Sequence, residues 1–202
     1  HAAWLAFGSV VDRGAVSPDT LLALARLAAG ADDFGGAREV LARVPADGLQ
    51  QGTAASVARL KAQLGAAAGE GEGEAALALA RDAARLDPGE HSFAVAETLV
   101  QLDRAEEAHR ELERLQGDAA TADEAGRRLA LLALASGDFG EAQQRFGARL
   151  QQGEGAAEAL FYLGVIAERR GNKDLALQSY QRLAEAGAGL LPRARAASLL
   201  IE

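Results

Sequence analysis

GDFGEAQQRF, residues 137–146, rewrites DDFGGAREVL, residues 32–41, almost position for position. The start positions, 137 against 32, differ by close to three repeat lengths of about 35, a spacing typical of repeat architectures. Aligned on the alanine after each turn, Ala37, Ala76, Ala108, Ala142 and Ala176 recur at intervals of 39, 32, 34 and 34. Four positions beyond each stands Leu41, Ala80, Leu112, Phe146 or Tyr180, an apolar side chain on the same helical face. Small Ala and Gly let helix backbones approach while Leu, Phe and Tyr fill the space beside them. The decapeptide therefore reads as a structural joint with no chemistry of its own.

Upstream of the last such alanine runs Leu160-x2-Leu163-Gly164-x2-Ala167, followed by Gly171 in a turn. This order of residues resembles the tetratricopeptide repeat, a helix-turn-helix unit of about 34 residues with W-x2-L-G-x2-Y in its first helix and A-x3-F in its second. Residues 157–190 match the pattern best; the preceding unit keeps Leu129, Ala130, Ala133, Gly137, Ala142 and Phe146, and residues 75–88 keep the second helix and its closing Pro88. The resemblance implies an all-α fold, a right-handed superhelical solenoid of antiparallel helix pairs. First-type and second-type helices are then expected to alternate over 18–30, 34–44, 53–66, 75–86, 91–102, 105–116, 123–136, 139–151, 157–170 and 174–186. Alternation makes residues 2–13, with Trp4 and Phe7, an orphan second-type helix and 192–201 an orphan first-type helix. Residues 1–202 are accordingly expected to form one repeat domain of about five helix pairs, cut from a longer solenoid.

Composition narrows the chemistry. Apolar residues make up 49% of the chain but aromatics only 4%, which suits stacked alanine-rich helices better than strands built on aromatic and β-branched side chains. The absence of Cys excludes disulfides, thiolate nucleophiles and Cys-based zinc sites. A net charge of −8 with no basic run argues against nucleic acid as partner. No apolar run approaches the roughly 20 residues that span a bilayer.

Catalytic and cofactor signatures are missing at the expected spacings. His91 and His109 stand too far apart for the H-x3-H spacing of a metal site; His91 is expected at a helix entry and His109 on an exposed face, neither supporting the fold. No serine sits in a G-x-S-x-G elbow. The stretch GAAAGEGEGE, residues 65–74, reads as a flexible loop. Its carboxylates lack the spacing of a calcium loop. No catalytic residue, cofactor or metal is expected, and the chain reads as a non-enzymatic scaffold.

In the family that the chain resembles, first-type helices line a concave face that accepts peptides or proteins. Carried to matching positions, the resemblance places Glu90, Phe93, Glu97, Val100, Glu124, Arg127, Leu131, Leu134, Glu158, Phe161, Val165, Glu168 and Arg169 on that face. Phe93, Leu131 and Phe161 are expected to share one row. The familiar clamp on a C-terminal carboxylate, built from paired Asn and Lys, cannot be assembled from Asn172, Lys61 and Lys173 alone. Residues 158–183 are similar to units of proteobacterial envelope proteins that present substrates to proteases, which implies a periplasmic or outer-membrane setting, with the cytoplasm as the alternative. A protein or peptide partner is expected, and self-association is compatible with the fold. The competing reading is a helical accessory domain of a larger enzyme or thioredoxin-type chaperone.

Overall fold

The computed structural model describes residues 16–69, 71–153, 155–187 and 190–201; the expected helix over 2–13, with Trp4 and Phe7, lies outside them. The described residues form helices and turns, with no strand among them. The helices are α1 (Pro18–Gly30), α2 (Phe34–Leu41), α3 (Gln51–Ala68), α4 (Gly73–Leu86), α5 (Pro88–His91), α6 (Ala94–Gln101), α7 (Ala105–Gln116), α8 (Ala122–Ala135), α9 (Phe139–Gln152), α10 (Ala156–Arg169), α11 (Lys173–Glu185) and α12 (Leu190–Ile201). The chain divides into two compact units, His1–Glu111 and Leu112–Glu202.

The decapeptide that recurs in the sequence is a turn that ends one helix and starts the next. Its first residue takes a left-handed backbone: Asp32 has φ 59°, Gly137 79°, and Gly171, in the same place one unit later, 73°. Its second residue sends its N–H back to a carbonyl near the end of the preceding helix, Asp33 to Ala28 at 2.9 Å, Asp138 to Ala133 at 2.9 Å and Asn172 to Ala167 at 2.8 Å, the bond that closes a helix C-terminus. That same residue then caps the next helix through its side chain. Asp33 accepts from the Gly36 N–H, Asp138 from Glu141 and Asn172 from Leu175. Such caps stabilise a helix by about 1 kcal/mol.

In the first unit, α1 packs on α2, α3 on α4, and α6 against both α3 and α4. The apolar face of α1 (Leu21, Leu24, Ala25, Ala28) meets Ala37, Val40 and Leu41 of α2 and Val57, Leu60 and Leu64 of α3 in one core. Two expectations need correcting here. Residues 65–74 do not form a long loop: α3 runs through Ala68 and α4 begins at Gly73. Alanine favours helix, and the interface extends to the end of α3, where a Cβ on Gly65 would lie 3.2 Å from the Ala76 Cβ. His91 is buried, at 3% exposure, where α5 meets α3. The Pro88 turn after the Asp87 cap makes α5 a separate helix and directs that side chain inward.

In the second unit α8 packs on α9, α9 on α10, α10 on α11 and α11 on α12. Phe146 and Tyr180, both fully buried, fill the joints expected of them. Gly164 is required for the second joint: a Cβ there would stand 2.6 Å from the Tyr180 Cε1. Gly164→Ala should therefore destabilise the protein by about 1–3 kcal/mol through overpacking, and Tyr180→Ala by about 3 kcal/mol through the void it leaves. Denaturant melts of both, and of the Gly164→Ala/Tyr180→Ala double variant, test the contact. Additive costs in the double variant would mean that the two side chains do not compete for one space.

Candidate partner-binding face

The residues of the expected face belong to or adjoin first-type helices, whose register along the sequence is regular. Ala28, Ala62, Ala96, Ala130 and Gly164 follow one another at a constant step of 34, and all are buried. At the same step, Arg127, Phe161 and Arg195 share one position, and Leu131, Val165 and Leu199 another. The expected row of Phe93, Leu131 and Phe161, spaced 38 and 30, therefore mixes two positions. Leu131 packs beside Ala130 and Phe146, whereas Phe161 packs beside Tyr180 and Ala196.

Within the first unit, Glu90 is exposed on α5, Phe93 is half-buried as the residue preceding α6, and Val100 is 51% exposed. Glu97 accepts a hydrogen bond from Arg59 of α3 at 2.7 Å. Within the second unit, charged side chains of the face bind one another. Arg127 Nε donates to both carboxylate oxygens of Glu158, at 3.1 and 3.0 Å, and its Nη1 donates to Glu124 at 3.3 Å. Burial works against the charge on Arg127, but the Glu158 hydrogen bond and the two nearby carboxylates outweigh it and raise its pKa. Arg128 Nε binds Glu124 at 2.7 Å. Glu168 pairs with Arg195 of α12 at 3.3 Å.

In the second unit Leu131, Leu134 and Val165 are half-buried, the first two packed against the core there. Phe161 meets Tyr162 edge-on at 5.3 Å and tilts over Tyr180 at 6.3 Å, so it serves the core as well as the face. Arg169 is exposed. Beneath this surface the Tyr180 hydroxyl and Glu168 Oε1 are both buried without a hydrogen-bond partner. Burial, reinforced by Glu168, pushes the Tyr180 phenol up to about 12, with Arg195 opposing. Sequence reasoning missed Arg59, Arg195 and Leu199. The constant step from Arg127 and Leu131 is the signal that finds the last two.

The Ser–His contact elsewhere among the described residues is not arranged for catalysis. Ser56 Oγ lies 3.3 Å from His91 Nε2, but both side chains are buried and His91 Nδ1 has no partner to orient it as a base. His109 is half-exposed. No cluster of His, Asp or Glu among the described residues could hold a metal ion, and no described helix is long and apolar enough to cross a membrane. A depression of about 730 Å³ in the second unit runs beside the Arg149–Asp123 ion pair on α8 and α9. None of the expected face residues lines it.

Helix pairs joined small-on-large, with a capped turn inside each pair and a constant step between first helices, can be compared with known proteins. Residues 127–190 match the tetratricopeptide repeat family model. The fold as a whole is similar to a tetratricopeptide repeat protein from Parabacteroides merdae ATCC 43184, with a TM-score of 0.59 at 18% identity over 91% of this chain and 72% of that one. It is also similar to MamA, with a TM-score of 0.53 at 18% identity over 80% of this chain and 93% of that one. No curated protein matches. Tetratricopeptide repeats generally mediate protein–protein interaction.

Two outcomes test the surroundings of this face. His91→Ala should lower stability by about 1–3 kcal/mol by opening a void and stranding the Ser56 hydroxyl; an unchanged melt would place His91 at the surface. In a Tyr162→Phe background, absorbance titration should show Tyr180 ionising near 12, above its ordinary 10.0. Because the fold favours the neutral phenol, its stabilisation is full below pH 10 and is lost as pH rises from about 10 to 12. A titration midpoint near the ordinary value would expose the hydroxyl to water.

Proposed function

We propose that the chain is a non-enzymatic scaffold that binds a peptide segment or a protein along the face of its first-type helices. The observation that carries this reading is the regular surface of α8, α10 and α12, where Leu131, Val165 and Leu199 recur at the constant step beside fixed Arg–Glu pairs. Rigid side chains lose little entropy on binding, so a preorganised apolar strip edged by held charges favours a partner. Glu90, Phe93, Glu97 and Val100 extend the same type of surface in the first unit, and Glu124, Arg127, Leu134, Glu158, Phe161, Glu168 and Arg169 complete it in the second. A role in a bacterial envelope, offering substrates to a protease, is the specific form suggested by the likeness of residues 158–183 to units of such proteins.

Crosslinking of the full-length protein in bacterial envelope fractions, followed by affinity measurement with the captured partner, tests this function. Val165→Glu should weaken binding at least tenfold, with a loss of about 1.4 kcal/mol or more, and leave the helical signal intact. Gln178→Glu, on the exposed surface of α11, should bind normally. Phe161→Ala should weaken binding by about 2 kcal/mol but also lower the melting temperature, because that ring packs on Tyr180. Equal affinity in all three variants would remove the first-helix face from partner binding.

A further inference from the structure

We infer that a groove on the first unit, lined by α2, α3 and the start of α4, binds a free medium-chain carboxylic acid, with the tail on its apolar floor and the carboxylate on Arg38 and Lys61. The groove has a volume of about 390 Å³. That is room for about a dozen water-sized atoms, which an acid of about eight to ten carbons fills. Buried Leu41, Leu64 and Ala76 and half-buried Leu79 form the floor. Its charged lining is Arg38, Lys61 and Glu72. Arg38 donates through Nη2 to the Leu64 carbonyl at 2.7 Å and stands 3.6 Å from Glu72, so its Nε and Nη1 are left for a ligand carboxylate. Lys61 is exposed and forms no ion pair among the described residues. Glu72 balances Arg38, and the charge of Lys61 is uncompensated within the lining.

Lys61 departs from the pattern of its own repeat. At the constant step of 34, Leu27, Val95, Leu129, Leu163 and Ala197 hold its place in the other first-type helices, and all are apolar. A counterpart depression of about 380 Å³ in the second unit has Gln143 and Leu163 where the first has Arg38 and Lys61. The one cation lining it, Arg170, is bonded to Gln143 at 2.9 Å. Two cations above an apolar floor are therefore particular to the first groove, and a position that only served helix packing would not need them. The lining also separates a free acid from a peptide segment. Arg38 and Lys61 only donate, the Glu72 carboxylate already faces Arg38, and helix carbonyls are engaged in backbone bonds. Amide N–H groups of a segment would lose water there without finding acceptors. A carboxylate brings acceptors alone, and its hydrocarbon tail needs no polar partner.

Isothermal titration of the intact protein at neutral pH with butanoate, hexanoate, octanoate, octanol, octylammonium and a short Phe-Asp peptide tests the inference. Octanoate should bind about tenfold tighter than octanol, octylammonium or the peptide, and its affinity should fall as salt rises. Each CH₂ added between butanoate and octanoate should tighten binding about threefold. Lys61→Leu, which matches Leu129 and Leu163 at the same position, should abolish the advantage over octanol. Ala75→Leu, placed on the exposed side of the groove lining, should weaken octanoate and octanol alike by about tenfold. In the unsubstituted protein, octanoate should slow reductive methylation of Lys61 and leave Lys173, the other lysine of the chain, unaffected, so the test stands where a thermal melt shows that a variant has unfolded. Octanol binding as tightly as octanoate, equal protection of both lysines, or octanoate affinity unchanged in the two folded variants would overturn the inference. Failure of every ligand to bind would overturn it too. Tighter binding of the peptide would overturn the free acid and assign the groove to a partner segment.

Discussion

The second unit depends on one close approach, the Tyr180 ring lying over the bare Cα of Gly164. A large side chain on the second helix can enter the joint only where the first helix offers almost nothing in return. The other joints follow the same compensation with different partners. Ala130 shares a cluster with Phe146, Ala62 with Ala80, and Ala28 with Leu41. The largest ring faces the one glycine of this series, and the other joints use alanine. Because each helix pair is set by its joint, the outward surface of the first helix is set with it.

That outward surface is held by a second kind of contact. Arg59 reaches Glu97, Arg127 reaches Glu158, and Glu168 reaches Arg195, each between successive first-type helices of one unit. Exposed pairs of this kind contribute little to stability, on the order of 0–1 kcal/mol. Their effect is on order: a long guanidinium arm tied to a neighbouring helix has fewer conformations to lose when a partner arrives. Joint and ladder meet at Glu168, which pairs with Arg195 and helps raise the pKa of the buried Tyr180 phenol, so the surface and the core of the last helix pairs share a residue.

Much of this was legible in the sequence because packing and turn chemistry leave local marks. The alanine one helical turn before Leu41, Leu112, Phe146 or Tyr180 locates the second helices. Asp33, Asp138 and Asn172 cap α2, α9 and α11, and α1 and α7 take the spans expected of them, 18–30 and 105–116. What was misread depended on contacts distant in sequence. Residues 65–74 carry the glycine content of a loop, but Gly65 is a place where α4 comes close. His91 looks like an isolated surface histidine until α3 is packed over it. The expected row of Phe93, Leu131 and Phe161 crosses two positions of the 34-residue step, because the reading was anchored on second-helix alanines whose spacing varies from 32 to 39.

That variation and the constancy of the first helices have a shared consequence for how the chain can change length. The separation from the small residue of a first helix to the alanine of its partner is 9 in the first pair (28 to 37), 14 in the next (62 to 76) and 12 in the pair of α8 and α9 (130 to 142). The path back to the following first helix is correspondingly 25 (37 to 62), 20 (76 to 96) and 22 (142 to 164). A residue gained on the outward leg is given up on the return. Insertions and deletions thus act as matched pairs inside a unit, and the second helices and turns absorb them as slack. Each first helix re-enters in phase, so lengths can drift without rotating the surface that a partner would read.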